Sequence, residues 1–368
     1  MIYKDNWEET KKRFEAFWAC DMIDRCCVAV TAPRSKPLDY TFPDIKEPAD
    51  LWEKWTSPEN IYHGNEFVFS IASFLGESFP YQFINLGPGM LAAPLGADYR
   101  LDDITVWFGP KPHLDSADTI PHIKFDKGHE LWEAAKSMTG YFTERAPDKY
   151  LVGITDLGGG FDIAASLRGS QELIFDMIER PAEVMNLIET IDDAWFEAYD
   201  ILYKMITDKC DGMTCWMPLW SRDRWYPLQC DFGTLLSPKM FEEFVKPTLA
   251  RQAAFLDRAL FHLDGPDMVK HVGSILDIEG IHAIQWRPTE YDGPDASYVY
   301  EKWIPLYKKI QARKKGIVML GVNPKEIETI LKYVSPKGLY MQTSCNSEDE
   351  ALDLLKQVEK WGRVREIF

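Results

Sequence analysis

From about residue 149 the chain alternates strand-like and helix-like segments with short connections, a pattern that restricts it to a parallel sheet wrapped by helices. The strand-like segments are 149–155, 212–217, 259–264, 281–286, 316–321 and 338–343. Between them the spacing predicts helices over 181–207, 238–258, 266–277, 298–314, 324–334 and 347–361, with Pro181, Pro238 and Pro324 in first-turn positions. Two earlier segments, Cys26–Thr31 and Tyr81–Asn85, raise the count to the eight strands of a (β/α)8 TIM barrel. A helix over 6–20 forms an N-terminal extension within residues 1–25. The Pro- and Gly-rich stretch 34–148 is expected to form long insertions over the carboxyl face. Without a linker, repeat or low-complexity tract, residues 1–368 read as a single domain.

Charge narrows the partners. With 41 basic against 58 acidic residues the net charge is −17, which excludes the basic surface needed for nucleic acid or an anionic membrane. No run approaches the roughly 18 apolar residues of a membrane span, and the first residues lack the apolar core of a signal peptide. The expected location is the cytoplasm. The seven scattered cysteines form no disulfide framework and read as reduced thiols. Thirteen Trp, sixteen Tyr and twenty Phe are more rings than a core of this size requires, so some are expected to line a pocket.

In such a barrel the chemistry sits at the carboxyl ends of the strands, where Arg34, Asp156, Trp216, His262, Asp264, Trp286 and Cys345 fall. His262 and Asp264 lie two apart in a strand, so they share a face and enter one cavity. Each has a plainer reading: a buried histidine bonded to a carbonyl, and a cap for the helix after Pro266. Cys345 ends another strand, and Cys230-Asp231 precedes a helix start where a loop could cover the pocket and supply an additional ligand or substrate contact. Trp216, Trp220, Trp225 and Tyr226 cluster beyond a strand end, either as a lid stacking on a flat or cationic ligand or as core or interface. Gly158–Gly160 fits no phosphate loop and reads as a close-packed turn. Glu77, in Gly76-Glu-Ser-Phe-Pro80, is a candidate substrate contact.

The run Leu151-Val-Gly-Ile-Thr-Asp-Leu-Gly-Gly-Gly-Phe-Asp-Ile-Ala-Ala-Ser-Leu-Arg-Gly169 and the stretch Leu235-Leu-Ser-Pro-Lys-Met-Phe-Glu-Glu-Phe-Val-Lys-Pro247 resemble the uroporphyrinogen decarboxylase superfamily. The resemblance implies a (β/α)8 barrel with its site at the carboxyl face. Its decarboxylase branch carries several arginines near the first strand, where this chain has only Arg34 in Val30-Thr-Ala-Pro-Arg-Ser35. A substrate with many carboxylates needs more cations than that. The methyltransferase branch holds zinc with a His-x-Cys pair and a distant Cys, and works with corrinoid proteins. His262 and Cys345 stand at those positions, with Asp264 in place of the first Cys. The resemblance therefore implies zinc on His262, Asp264 and Cys345, with His262 and Asp264 catalytic. Arg34, Glu77, Asp156, Trp216, Tyr226, Cys230 and Trp286 are expected to contact a small substrate. A carboxylate in place of a thiolate makes zinc the stronger Lewis acid, suited to polarising oxygen. Two rivals stay open: a cofactor-free decarboxylase using Arg34 for the carboxylate and His262/Asp264 for protons, and a non-catalytic corrinoid or tetrapyrrole binder. A corrinoid protein is the implied partner, and a homodimer is left open.

Overall fold

A computed structural model describes residues 1–110, 123–288 and 296–365. The inserted stretch 34–148 therefore includes twelve positions, 111–122, outside the described residues. Eleven strands are present among those described: β1 Cys27–Pro33, β2 Ala72–Gly76, β3 Tyr81–Phe83, β4 Asp98–Leu101, β5 Val106–Gly109, β6 Leu151–Gly153, β7 Trp225–Leu228, β8 Arg258–Asp264, β9 Ile281–Arg287, β10 Gly316–Met319 and β11 Leu339–Ser344.

The strands form a mixed α/β architecture around a central, mainly parallel sheet. Its order is β2-β1-β11-β10-β9-β8-β7, parallel throughout except that β2 pairs antiparallel with β1. β3 and β6 make a second parallel pair, extended by a bridge from Gly153 to Thr214. Eight strands thus lie in parallel ladders, but the described ladders do not join the two sheets into a ring. β2 folds back on the edge of β1 that a ring would offer to β3. On the other side the expected strand 212–217 is reduced to bridges at Met213 and Thr214. β7 was hidden in the sequence by Pro227, whose missing N–H is tolerated because β7 is the edge strand of its sheet.

Helices follow the expected periodicity, with one informative break. The helix Pro181–Thr207 matches its expected bounds. The segment expected as one helix over 238–258 contains a π-turn at Phe241–Val245 before the helix Lys246–Phe255. Pro247 lacks the N–H that an α-helix would direct to residue 243, and widening the turn removes the clash. Among the described residues no helix is long and apolar enough to cross a membrane.

The N-terminal helix Trp7–Trp18 buries Trp7, Phe14, Phe17 and Trp18 on one stripe. Phe14 and Phe17 lie 6.0 and 6.2 Å from the Tyr340 ring near the start of β11, and Trp18 Nε1 donates to Trp220 O at 2.9 Å. The helix packs across amino ends of the sheet, leaving the carboxyl ends available for chemistry.

Asp192 on the Pro181–Thr207 helix is a buried charge held by its neighbours. It accepts from Thr248 Oγ1 at 2.7 Å and Gln252 Nε2 at 3.0 Å, yet burial pushes its carboxyl up to about 6. A raised folded-state value means that the protonated form favours folding. This contribution is present below about pH 4 and is lost as pH rises through about 6. Two units correspond to about 3 kcal/mol. Urea titrations from pH 4 to 7 should show wild type losing about that much relative to Asp192→Asn; parallel pH profiles would refute the assignment.

Candidate functional site

His262 and Asp264 both lie on β8, on the same face, as their spacing requires. His262 sits opposite Gln285 of β9 in the ladder, and its Nδ1 is hydrogen-bonded to the Gln285 Oε1. An amide oxygen only accepts, so Nδ1 carries the proton and Nε2 presents its lone pair. The Trp216 ring meets the imidazole edge to face at 5.1 Å and 89°. Asp264 pairs in register with Arg287, whose Nε lies 3.8 Å from Oδ1. The following Gly265, at φ +78°, starts a helical turn with no side-chain cap, so Asp264 is not serving that structural purpose.

The third member is Asp231. Asp231, His262 and Asp264 each offer one donor atom, all within 4.8 Å of one another. Asp231 opens the short turn Asp231–Leu235, which two neighbouring elements hold in place. Asp162 Oδ1 accepts the Phe232 N–H at 2.8 Å. From the segment after β8, His271 Nε2 donates to Gly233 O at 2.9 Å and Lys270 Nζ to Thr234 O at 2.7 Å. The segment that follows Asp264 thus anchors the loop that carries Asp231.

Further carboxyl groups crowd this centre. Asp156, just beyond β6, accepts from Gly158 N at 2.8 Å, Tyr226 Oη at 3.1 Å and Gln229 Nε2 at 3.4 Å. Burial pushes Asp156 up; Gly158 and Tyr226 oppose this, Asp231 adds to it and His262 counters it. Asp162 is pushed up to about 8, by burial first and then by Asp231. Asp231 is itself raised by the loss of hydration around its carboxyl, eased by His262 and worsened by Asp264. A cation among these groups would remove the repulsion that disfavours their ionised forms.

The other expected site residues take different places. Cys345 follows β11, three strands from β8 in the sheet order, or roughly 14 Å at normal strand spacing. Its backbone N–H bonds Thr31 O at 2.9 Å, burial raises its thiol, and it is not in the donor group. The donor atoms that converge among the described residues are thus those of His262, Asp264 and Asp231, and Cys345 is not with them. Glu77 is fully buried, paired with Arg25 at 2.5 and 2.9 Å and accepting the Val28 N–H at 2.7 Å, so no substrate reaches it. Arg34 Nε donates to Ala72 O at 3.2 Å, tying it to the start of β2. Trp286 is buried against Trp303 at 4.9 Å, and Cys230 is buried with its thiol raised well above the usual range.

The expected aromatic lid is also corrected. Trp220 and Trp225 are core residues whose indoles donate to Asp211 O at 2.7 Å and Met213 O at 3.0 Å. Tyr226 is buried too; its hydroxyl accepts the Leu157 N–H at 2.7 Å while donating to Asp156. Only Trp216 of the four lies beside His262. The aromatic wall comes instead from Trp107 and Phe108 on β5 and from Phe232. With Asp162, Gln229 and Asp231 they line a cavity of about 390 Å³.

Gly158–Gly160 forms the expected close-packed turn. A Cβ on Gly158 (φ +85°) would lie 2.7 Å from Gly89 Cα, and one on Gly159 would lie 2.1 Å from Gln229 O. Asp231 lies in the Cys230-Asp231 pair that the sequence offered as an additional ligand or substrate contact, whereas Asp162 and Gln285 were not singled out as site residues from the sequence. The available signals were a polar Gln285 inside the apolar run of β9 and an Asp two residues after Gly160, the last glycine of the turn.

No family model and no curated protein matches the sequence. The chain shares its fold with a methyltransferase from Methanosarcina mazei. The superposition has a TM-score of 0.58, covers 95% of this chain and 98% of that one, and pairs residues at 12% identity. The likeness therefore extends over nearly the full length of both chains. At that identity it speaks for the fold, and the chemistry must be argued from the site.

Proposed function

We propose that this protein is a metal-dependent enzyme of the methyltransferase type, with zinc held by Asp231, His262 and Asp264. The carrying observation is the convergence of three donor atoms within 4.8 Å, one of them an imidazole fixed through its other nitrogen to Gln285. Three protein ligands leave a position for substrate, as catalytic zinc sites do. When bound, the ion would act as a Lewis acid towards a substrate oxygen or nitrogen, consistent with a donor set of one imidazole and two carboxylates.

The protein's own groups then have distinct tasks. Gln285 orients His262, and Tyr226 and Gln229 hold Asp156 behind the centre. Trp107, Phe108 and Phe232 exclude water from the groove that reaches Asp231. A corrinoid protein, implied by the resemblance, is the first methyl donor or acceptor to test. The same proposal includes a barrel closed around this centre, with β3 completing the ring beside β1. The decarboxylase reading has less support, because Arg34 is tied to Ala72 and no cation is among the described residues lining the groove.

Elemental analysis and zinc titration test the centre. Wild type should take up one zinc, and His262→Ala and Asp231→Ala should weaken uptake by two orders of magnitude, about 3 kcal/mol. Gln285→Leu should cost about 10–100-fold. Cys345→Ala should bind as wild type does. Protein that stays metal-free in excess zinc, or a Cys345→Ala loss equal to that of His262→Ala, would overturn the assignment; a metal-free protein that binds cobalamin without turnover would favour the binder.

A further inference from the structure

A second cavity, of about 440 Å³, opens beside β3 and shares no lining residue with the groove at Asp231. Alternation along β3 sets its floor: Tyr81 and Phe83 lie two apart and line it together, and Asn85 continues the same alternation just past the strand. Phe83 is seated beside Gly153, its register partner on β6, where a Cβ would come within 3.4 Å of Phe83 Cδ2. Trp55, Asn65 and Lys54 of the inserted stretch complete the wall, with the Trp55 indole N–H tied to Asp102 O at 2.8 Å. Because β3 runs parallel to β6, whose carboxyl end leads to Asp156, the Asn85 end of the cavity lies at the carboxyl face.

Three polar groups of this wall are not used up by the fold. Tyr81 is half-buried and its hydroxyl makes no hydrogen bond to a described residue; burial pushes it up to about 12, with Cys215 adding to this, so it is a protonated donor at neutral pH. Asn65 gives one N–H to Gln82 Oε1 at 2.6 Å, which leaves its carbonyl oxygen and its second N–H. Asn85 Oδ1 accepts the Gly87 N–H at 3.2 Å, which leaves its amide N–H groups. Lys54 is exposed and already held by Asp103, whose O and Oδ1 both lie 3.0 Å from Nζ. No carboxylate is among the described residues that line the cavity.

An organic cation would find rings here but no counter-charge. An anion would give up its water for a single lysine that is already paired. A purely apolar ligand would cover the hydroxyl and the amides without satisfying them. We infer that the cavity binds a planar, uncharged ring bearing an amide or lactam edge. The ring lies among Trp55, Tyr81 and Phe83, and its C=O and N–H groups pair with the Tyr81 hydroxyl and the Asn65 and Asn85 amides. The inference stands on β3 and its neighbours and does not depend on the metal centre.

The test titrates the full-length protein by NMR with three probes of one shape: benzamide, acetophenone, in which a methyl replaces the amide nitrogen, and benzoate, which carries a charge. Wild type should bind benzamide about fivefold more tightly than acetophenone, the worth of one hydrogen bond, and about tenfold more tightly than benzoate. Tyr81→Phe should weaken benzamide about fivefold without lowering the urea midpoint, since the hydroxyl it removes has no protein partner; a structural hydroxyl would lower the midpoint instead. Trp55→Leu should weaken both neutral probes about fivefold by removing a ring from the wall. Zinc uptake by both variants should equal that of wild type, so loss of probe binding with zinc uptake intact strikes this inference alone. Benzoate binding as tightly as benzamide would make the cavity an anion site at Lys54. Equal binding of benzamide and acetophenone would make it an apolar cleft. Either result, binding of none of the probes, or a Tyr81→Phe protein that binds benzamide as wild type does, would overturn the inference.

Discussion

Glu77→Ala should lower the unfolding free energy by about 3–5 kcal/mol, the cost of leaving a buried partner charge uncompensated. Glu77 has no exposed surface, and its two oxygens receive the Arg25 guanidinium at 2.5 and 2.9 Å. One oxygen also accepts the Val28 N–H at 2.7 Å, and Arg13 stands 3.7 Å away. Removing the carboxylate leaves Arg25, itself 7% exposed, with its charge in the protein interior. The pair links the chain just before β1 to the end of β2, so its loss should loosen the antiparallel pairing on that sheet edge. Urea denaturation measures the effect, and zinc content of the folded variant should not change. Replacing both partners with apolar residues, Arg25→Met with Glu77→Leu, should cost far less than the single variant. A stable Glu77→Ala protein with impaired ligand binding would restore the substrate-contact role expected from the sequence.

Gly159→Ala should cost about 3 kcal/mol and should also damage metal binding. The added methyl would sit 2.1 Å from Gln229 O and 2.7 Å from Asp162 Oδ2. A backbone carbonyl cannot turn aside as a flexible side chain does, so residues 229–231 must shift. Gln229 supports Asp156, and Asp231 is two residues further on in the proposed donor set. Zinc affinity should therefore fall together with stability. Gly64→Ala, where a Cβ meets nothing within 4 Å, is the matched control and should leave zinc affinity unchanged. Wild-type zinc affinity in a correctly folded Gly159→Ala protein would show that the 229–231 backbone does not set the metal centre.

Local periodicity made much of the architecture readable. The β8, β9, β10 and β11 segments, the helix over 181–207 and the N-terminal helix all follow from short-range patterning, because burying one face forces a repeat of about two or 3.6 residues. The same rule put His262 and Asp264 on one face of β8. Where another constraint overrode the pattern, the reading failed locally: Pro227 concealed β7, and Pro247 interrupted the expected 238–258 helix with a π-turn. The short strands β2, β4 and β5 gave too few alternations to stand out from the Pro- and Gly-rich stretch around them.

The partners of His262 had a different origin. Cys345 and Asp231 are both far from His262 along the chain, and nothing in either local segment states which one comes close. Strand order decides it: β11 lies three strands from β8, while the turn carrying Asp231 is held by His271 and Lys270 just after β8. Aromatic residues posed the same problem, since a core and a ligand pocket call for the same rings. The sequence determined the alternating elements and the shared face of His262 and Asp264, because those depend on backbone geometry over a few residues. Only the tertiary structure selected Asp231 over Cys345 and the Trp107 hairpin over the Trp220–Tyr226 segment, because those choices depend on contacts between elements distant in the chain.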